Sequence, residues 1–273
     1  SLVLQSLDIP FETLQADGYI QIVVPASYLE RARYEIWQFE SENTAPRQSR
    51  PPLTPVYQDS AWGVTGYIAV ISIVAVLAGE AVFNQDWLAA GRVDGVLIRA
   101  GEWWRTITAL TLHGSLSHFA GNVVFGAIFG VMAGRVLGPG VTWLAAVVSA
   151  SLGNLVNTLL LDPSHRAIGA STAVFAVLGI VAGLSWRAKF FRQDRWAYRL
   201  GPIVGGLALL AFTGGGSPGS NTDIGAHLAG FACGFVSGSW LTLVYRYVPD
   251  PRVQKVAGAT AIGIVALAWI LAL

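Results

Sequence analysis

Gly169-Ala170-Ser171-Thr172-Ala173-Val174-Phe175-Ala176-Val177-Leu178-Gly179 sets a serine at the mouth of an apolar run that reaches Trp186 without a charge. A hydrocarbon core of about 30 Å takes about 20 apolar residues per helix, and comparable runs recur from Trp62 to Leu273. Seven can be drawn, at 62–79, 118–137, 141–161, 170–186, 200–213, 224–245 and 253–273, each bounded by charges, prolines or glycine-rich turns. The fifth is short enough to suit a re-entrant or interfacial segment as well as a crossing. With 53% hydrophobic and 12% charged residues, the chain reads as an all-α polytopic membrane protein.

Orientation follows from the basic residues, because short cytoplasmic loops carry the excess of Lys and Arg. With the N-terminus inside, only Arg92, Arg99, Arg105 and Arg166 of the 17 basic residues fall outside, provided that 200–213 crosses. The C-terminus is then outside, and a bacterial inner membrane fits this arrangement. The net charge of +1 conceals the asymmetry. No basic stripe interleaved with aromatics points to nucleic acid. Cys233, the lone cysteine, forms no intramolecular disulfide and is read as a small buried hydrophobe.

Residues 1–44 differ in character. They alternate through Tyr19-Ile20-Gln21-Ile22-Val23-Val24, switch at Pro25 and Ser27, and take a helical period through Tyr28–Ile36. We expect a small cytosolic α/β module there, its partner unread. The only methionine is Met132, so a trimmed N-terminus is expected, without a cleavable signal peptide. Residues 45–60, with Pro46, Pro51, Pro52 and Pro55, form a stiff linker; 61–250 hold a six-helix core, and 251–273 add a seventh span.

In this topology spans two, four and six all enter from the outer face. His118 and Asn122 lie in the first turns of span two, Ser171 in that of span four, and His227 in that of span six. At about 1.5 Å rise per residue, these polar groups share one depth. Small residues four apart let helices approach closely in lipid. Such stripes run through Gly126, Gly130, Gly134 and Gly138, through Gly179 and Gly183 below Ser171 and Phe175, and through Gly230, Gly234 and Gly238. Spans four and six are therefore expected to meet beneath Ser171 and His227.

Alone, Ser171 is a packing residue of the kind common in spans, and His227 is as readily an interhelical donor as a base. Together they suit nucleophilic catalysis, since a serine hydroxyl is weak until a base such as neutral imidazole takes its proton. Asn122, His118 and the Ser171 backbone N–H are the candidate donors to an oxyanion. Gly169 permits a tight entry turn. Asp223 is expected to cap the sixth span. Asn154 and Asn157 read as bridges between helices, His113 as a structural residue of the outer loop, and His165, beside Asp162, as solvated. Trp87, Trp103 and Trp104 suggest that the first outer loop sits at the membrane interface.

These residues resemble the rhomboid family of intramembrane serine proteases over roughly 62–250. The match lies in Gly169-Ala170-Ser171, in Ala226-His227 with Gly230 and Gly234, in His113, His118 and Asn122, and in Trp104-Arg105 of the first loop. The resemblance implies a Ser171–His227 dyad without a third acid, Phe175 stacked on His227, and no metal or organic cofactor. It also implies substrates that are transmembrane proteins cleaved near the outer face of the bilayer. Thr172 and Gly134 depart from the family, which often has glycine and glutamate there. The glycine-rich loop 213–220 overhangs the site as a cap, and its movement with the fifth span would admit a substrate helix from lipid. The alternative within the same fold is a non-proteolytic rhomboid-like protein that binds membrane clients. A transporter is disfavoured by the lack of internal repeats and mid-span charge, and a zinc protease by the lack of HExxH.

Overall fold

The computed structural model describes residues 2–16, 19–43, 57, 59–187, 203–208, 211 and 222–273. The chain divides into two compact units, Ser1–Pro51 and Pro52–Leu273. Apart from Tyr57, Asp59 and Ser60, the proline-rich linker at 45–60 lies outside the described residues, as do the loop 213–220 and half of the fifth expected span.

In the first unit, α1 (Leu2–Ser6) precedes an antiparallel hairpin of β1 (Glu12–Ala16) and β2 (Tyr19–Val23), paired from Glu12↔Val23 to Ala16↔Tyr19. A single 3₁₀ turn follows Pro25, and then α2 (Leu29–Asn43). Leu4, Ile9 and Ala32 are buried together, with Phe11 and Ile36 packed on them.

The second unit is helical. Among the described residues, five of its helices are long and apolar enough to cross a membrane: α3 (Ala61–Gly79), α7 (Leu116–Leu137), α8 (Pro139–Leu160), α11 (Ile224–Leu241) and α12 (Pro251–Ala272). A shorter apolar helix, α9 (Ser171–Arg187), is buried along most of its length and lies against α7, α8 and α11. A helix apolar on every side belongs inside a bundle. Residues 203–208 and 211 form the described part of α10. Between α3 and α7 the chain makes α4 (Trp87–Gly91), strand β3 (Val93–Asp94), α5 (Gly95–Arg99) and α6 (Arg105–Thr108). The strand β4 (Arg166–Ala167) pairs with β3 just before α9 begins.

The helix bounds follow local chemistry. Ser115 caps α7, its hydroxyl accepting from His118 N at 3.2 Å. Gly138, at φ +78°, ends α7, and Pro139 opens α8, where its missing N–H costs nothing. The sixth expected span, drawn to residue 245, ends as helix at Leu241 and closes in a 3₁₀ turn at Tyr245–Tyr247.

Glycine stripes decide the packing. A methyl group placed at Gly234 would run into the Ala176 carbonyl, one at Gly238 into that of Ile180, one at Gly179 into that of Phe231 and one at Gly183 into that of Phe235. The α9 and α11 backbones therefore touch in both directions, as the spacing predicts. At Gly153 an added Cβ would lie 2.7 Å from Gly230 N, so α8 crosses at the same level. The stripe on α7 serves another neighbour: Gly126 faces Tyr67, Gly130 faces Trp143 and Val64, and Gly134 faces Ser60. At Gly134 a Cβ would stand 3.0 Å from that of Ser60, which leaves little room for the glutamate common in the resembling family.

The loop between α3 and α7 is anchored more deeply than its aromatics suggest. Trp87 is buried against Trp269 of α12, ring centroids 4.7 Å apart, and its indole N–H donates to Val82 O; Trp103 is half exposed. The loop's arginine is structural. Arg105 is buried, donating from Nε to Glu102 Oε2 at 2.6 Å and from Nη1 to the Ala89 carbonyl at 2.8 Å.

Candidate active site

Three helix N-termini and one glycine turn build the site. Gly169 takes φ +141°, a conformation that favours glycine, and its N–H donates to Ala109 O at 2.9 Å. The chain is thereby turned so that Ser171 is the first residue of α9. A side chain at 169 would lie 2.9 Å from His118 Nε2 and 3.2 Å from Ser171 Oγ, so the bare glycine keeps open the space between those two groups.

On α11, Asp223 caps the helix by accepting from Ala226 N at 2.9 Å, and the first turn carries His227. His227 Nε2 lies 2.8 Å from Ser171 Oγ. The Phe175 ring, one turn below Ser171, packs on the imidazole with centroids 4.5 Å apart and planes tilted by 39°. His227 is only 5% exposed. A serine donating to a buried imidazole at this separation can pass its proton without further movement.

Asn122 stands on α7, 5% exposed, and its side-chain nitrogen has no hydrogen-bond acceptor among the described residues. Its backbone carbonyl accepts from Tyr67 Oη at 3.1 Å, tying this turn of α7 to α3. His113 meets the His118 ring edge-on at 5.4 Å and Phe119 at 5.1 Å. Partial burial, with His118 beside it, brings the His113 pKa down to about 4, against a smaller opposing contribution from the Thr111 backbone. It therefore stays neutral at ordinary pH.

His118, Asn122, Ser171 and His227 line one open cavity of about 1290 Å³. Small-molecule pockets run to about 1,000 Å³, so there is room for a stretch of polypeptide. Gly230 and Gly234, below His227, are the close-contact glycines that hold the two helices at this distance. Thr172 is buried, and its carbonyl and methyl lie against Gly230, so the departure from glycine is absorbed at the α9–α11 seam.

Two expectations change. His165 is not simply solvated beside Asp162: its Nε2 lies 2.8 Å from Asp223 Oδ2, while Asp162 is engaged by Ser164. Asp223 serves as more than a helix cap, because Asn157 on α8 also donates to it, at 2.9 Å and 3.1 Å. The pairing of β3 with β4 had no visible signal in such short polar segments. Asn154 behaves as expected, bridging from α8 to the Thr106 carbonyl at 2.9 Å.

Residues 100–244 match the model of the Rhomboid domain. The chain is 29% identical over 170 residues to "Rhomboid protease GluP" of Bacillus subtilis, covering 60% of this chain and 31% of that protein. It is 32% identical over 148 residues to "Rhomboid-like protease 2" of Toxoplasma gondii, covering 53% and 50%. To "Rhomboid protease GlpG" of Salmonella choleraesuis it is 29% identical over 204 residues, covering 72% and 70%. The chain thus spans half or less of the length of the first two of these relatives. The matched domain takes in more than half of the chain, including Arg105, Asn122, Ser171 and His227, and these comparisons, with five helices long enough to span a bilayer, place it: the chain belongs to the rhomboid family and is an integral, multi-pass membrane protein.

Proposed function

We propose that this protein is a serine endopeptidase that cleaves transmembrane protein substrates near the outer face of the bilayer. The observation that carries the reading is the 2.8 Å contact between His227 Nε2 and Ser171 Oγ. The proposed topology has seven spans: a six-helix core over 61–250, including a crossing at 200–213, and a seventh at 251–273. It places the 1–44 module and the 45–60 linker in the cytoplasm of a bacterial cell, with the C-terminus outside.

Ser171 Oγ attacks the scissile carbonyl carbon as its proton passes to His227 Nε2. The carbonyl becomes an oxyanion that accepts from the free Asn122 amide, from His118 and from the Ser171 N–H. Fixed donors of this kind, in a water-poor site, supply several kcal/mol of barrier lowering. The C–N bond then breaks, the amine leaves with the proton from His227, and an ester remains on Ser171. Water entering the open cavity gives a proton to His227 and attacks the ester, and Oγ recovers its proton as the acid leaves. Phe175 fixes the plane of the imidazole, the task that a third acid performs in other serine hydrolases.

A fluorophosphonate probe tests this directly, since Oγ displaces fluoride at phosphorus only when activated. Purified protein in detergent is expected to label, whereas Ser171→Ala and His227→Ala do not. A wild type that neither labels nor cuts an unselective transmembrane model substrate in liposomes would favour the client-binding reading instead.

A further inference from the structure

Asp223 gathers groups from three parts of the chain. Its carboxylate accepts from Ala226 N at the head of α11, from Asn157 Nδ2 on α8, and lies 2.8 Å from Nε2 of His165, in the loop that leads to Ser171. The pair is largely withdrawn from water, the two side chains being 22% and 16% exposed. The same loop is fixed on its other side. The His165 carbonyl accepts from Gly95 N at 3.0 Å, Arg166 Nε donates to Asp94 Oδ2 at 3.0 Å, and Gly169 N is held by Ala109 O. Ser171 follows two residues later, and His227 lies four residues after Asp223.

The entries of the serine helix and of the histidine helix are thus joined by one side-chain contact above the dyad, while the glycine seam joins them below it. We infer that His165 and Asp223 are positioning residues for catalysis: their contact sets the register of α11 against the Ser171 loop and so holds the Ser171–His227 distance. The inference rests on the dyad reading. The glycine seam alone permits α11 to slide or tilt along α9, because backbone contacts of small residues are weakly directional. A hydrogen bond to a carboxylate largely withdrawn from water is directional and short. A shift of about 1 Å in reacting groups can cost a factor of about 10² in rate.

The test compares the rate constant of fluorophosphonate labelling at saturation, the probe's apparent affinity and the thermal midpoint in wild type, His165→Ala, His165→Gln and Asp223→Ser. Serine keeps the α11 cap but is too short to reach His165, so it cuts the clasp without uncapping the helix. His165→Ala and Asp223→Ser are expected to lower the saturating rate about tenfold with affinity within about twofold. Glutamine, whose amide can still donate to Asp223, is expected to recover most of the rate. Wild-type labelling rates in either cut variant, or no recovery in a folded His165→Gln, would overturn the inference. If His165→Ala fails to fold, Asp223→Ser decides. Labelling that survives Ser171→Ala or His227→Ala instead overturns the dyad reading, whatever the clasp variants do.

Discussion

Asn122 places a buried amide donor in a cavity with no acceptor for it among the described residues. Buried donors are seldom left unpaired, because an unmade hydrogen bond costs about 1–3 kcal/mol, and in the proposed mechanism the partner of this one is an oxyanion that exists only during reaction. Asn122→Ala is therefore expected to cut the rate of substrate hydrolysis in liposomes by about 10²–10³ with little change in thermal midpoint. A loss of less than about tenfold would remove Asn122 from the oxyanion site. His113, three residues before α7 begins, supports the same wall by packing on His118. Its folded pKa of about 4 lies below the ordinary 6.5. Below 6.5 the unfolded chain takes up a proton that the folded protein refuses. Its contribution to stability is therefore complete above that pH and declines as pH falls toward 4. In His113→Asn the thermal midpoint is expected to fall less steeply than in wild type between pH 6.5 and 4; parallel curves would refute the assignment.

At the scale of elements, the seam between α9 and α11 sets how near Ser171 and His227 can come. The Cβ position of Gly234 is already filled by the Ala176 carbonyl, so Gly234→Val must push the helices apart. Overpacking of this kind costs about 1–3 kcal/mol. We expect a lowered thermal midpoint together with loss of fluorophosphonate labelling, whereas Gly66→Val, where nothing lies within 4 Å of the added Cβ, should change neither. Equal labelling by Gly234→Val would show that the seam does not set the dyad. Much of this was legible beforehand: four-residue glycine spacing, apolar length and the polar residues at three helix heads each report a local periodicity. Other features were not. His165 and Asp223 are 58 residues apart, and nothing periodic marks a contact between two loop residues. The glycines of α7 were readable as a stripe, yet the identity of the facing helix depended on where Tyr67 and Trp143 stack, with ring centroids 4.5 Å apart. Trp87 carried the composition of an interfacial anchor, and only the position of Trp269 shows that it is buried.

At the scale of the whole second unit, α12 is built into the fold at both ends. Near its start, Gln254 Oε1 accepts from Gly140 N at 2.9 Å and Val141 N at 3.2 Å, capping α8. The same side chain donates from Nε2 to the Leu137 and Val248 carbonyls, each at 2.8 Å. It thus satisfies three backbone groups where α7 turns into α8, and shares with Tyr57 Oη a fourth, the Val248 carbonyl just before α12. Near its other end, Trp269 donates to Thr111 Oγ1 at 3.1 Å, packs on Trp87, and fills the space over Gly91. The two contacts have different consequences. Gln254 lies at the end of α7 remote from Asn122, so Gln254→Ala is expected to lower the thermal midpoint through its unpaired backbone groups, at about 1–3 kcal/mol each, while folded molecules label at the wild-type rate. Trp269 supports Thr111, two residues before His113, and truncating a buried tryptophan costs about 3–5 kcal/mol. Trp269→Ala is therefore expected to lower both the thermal midpoint and the labelling rate measured well below that midpoint. If both variants lose stability alone, α12 is a brace without a share in the geometry of the site; if Trp269→Ala also slows labelling, the helix holds the wall on which His118 and Asn122 stand.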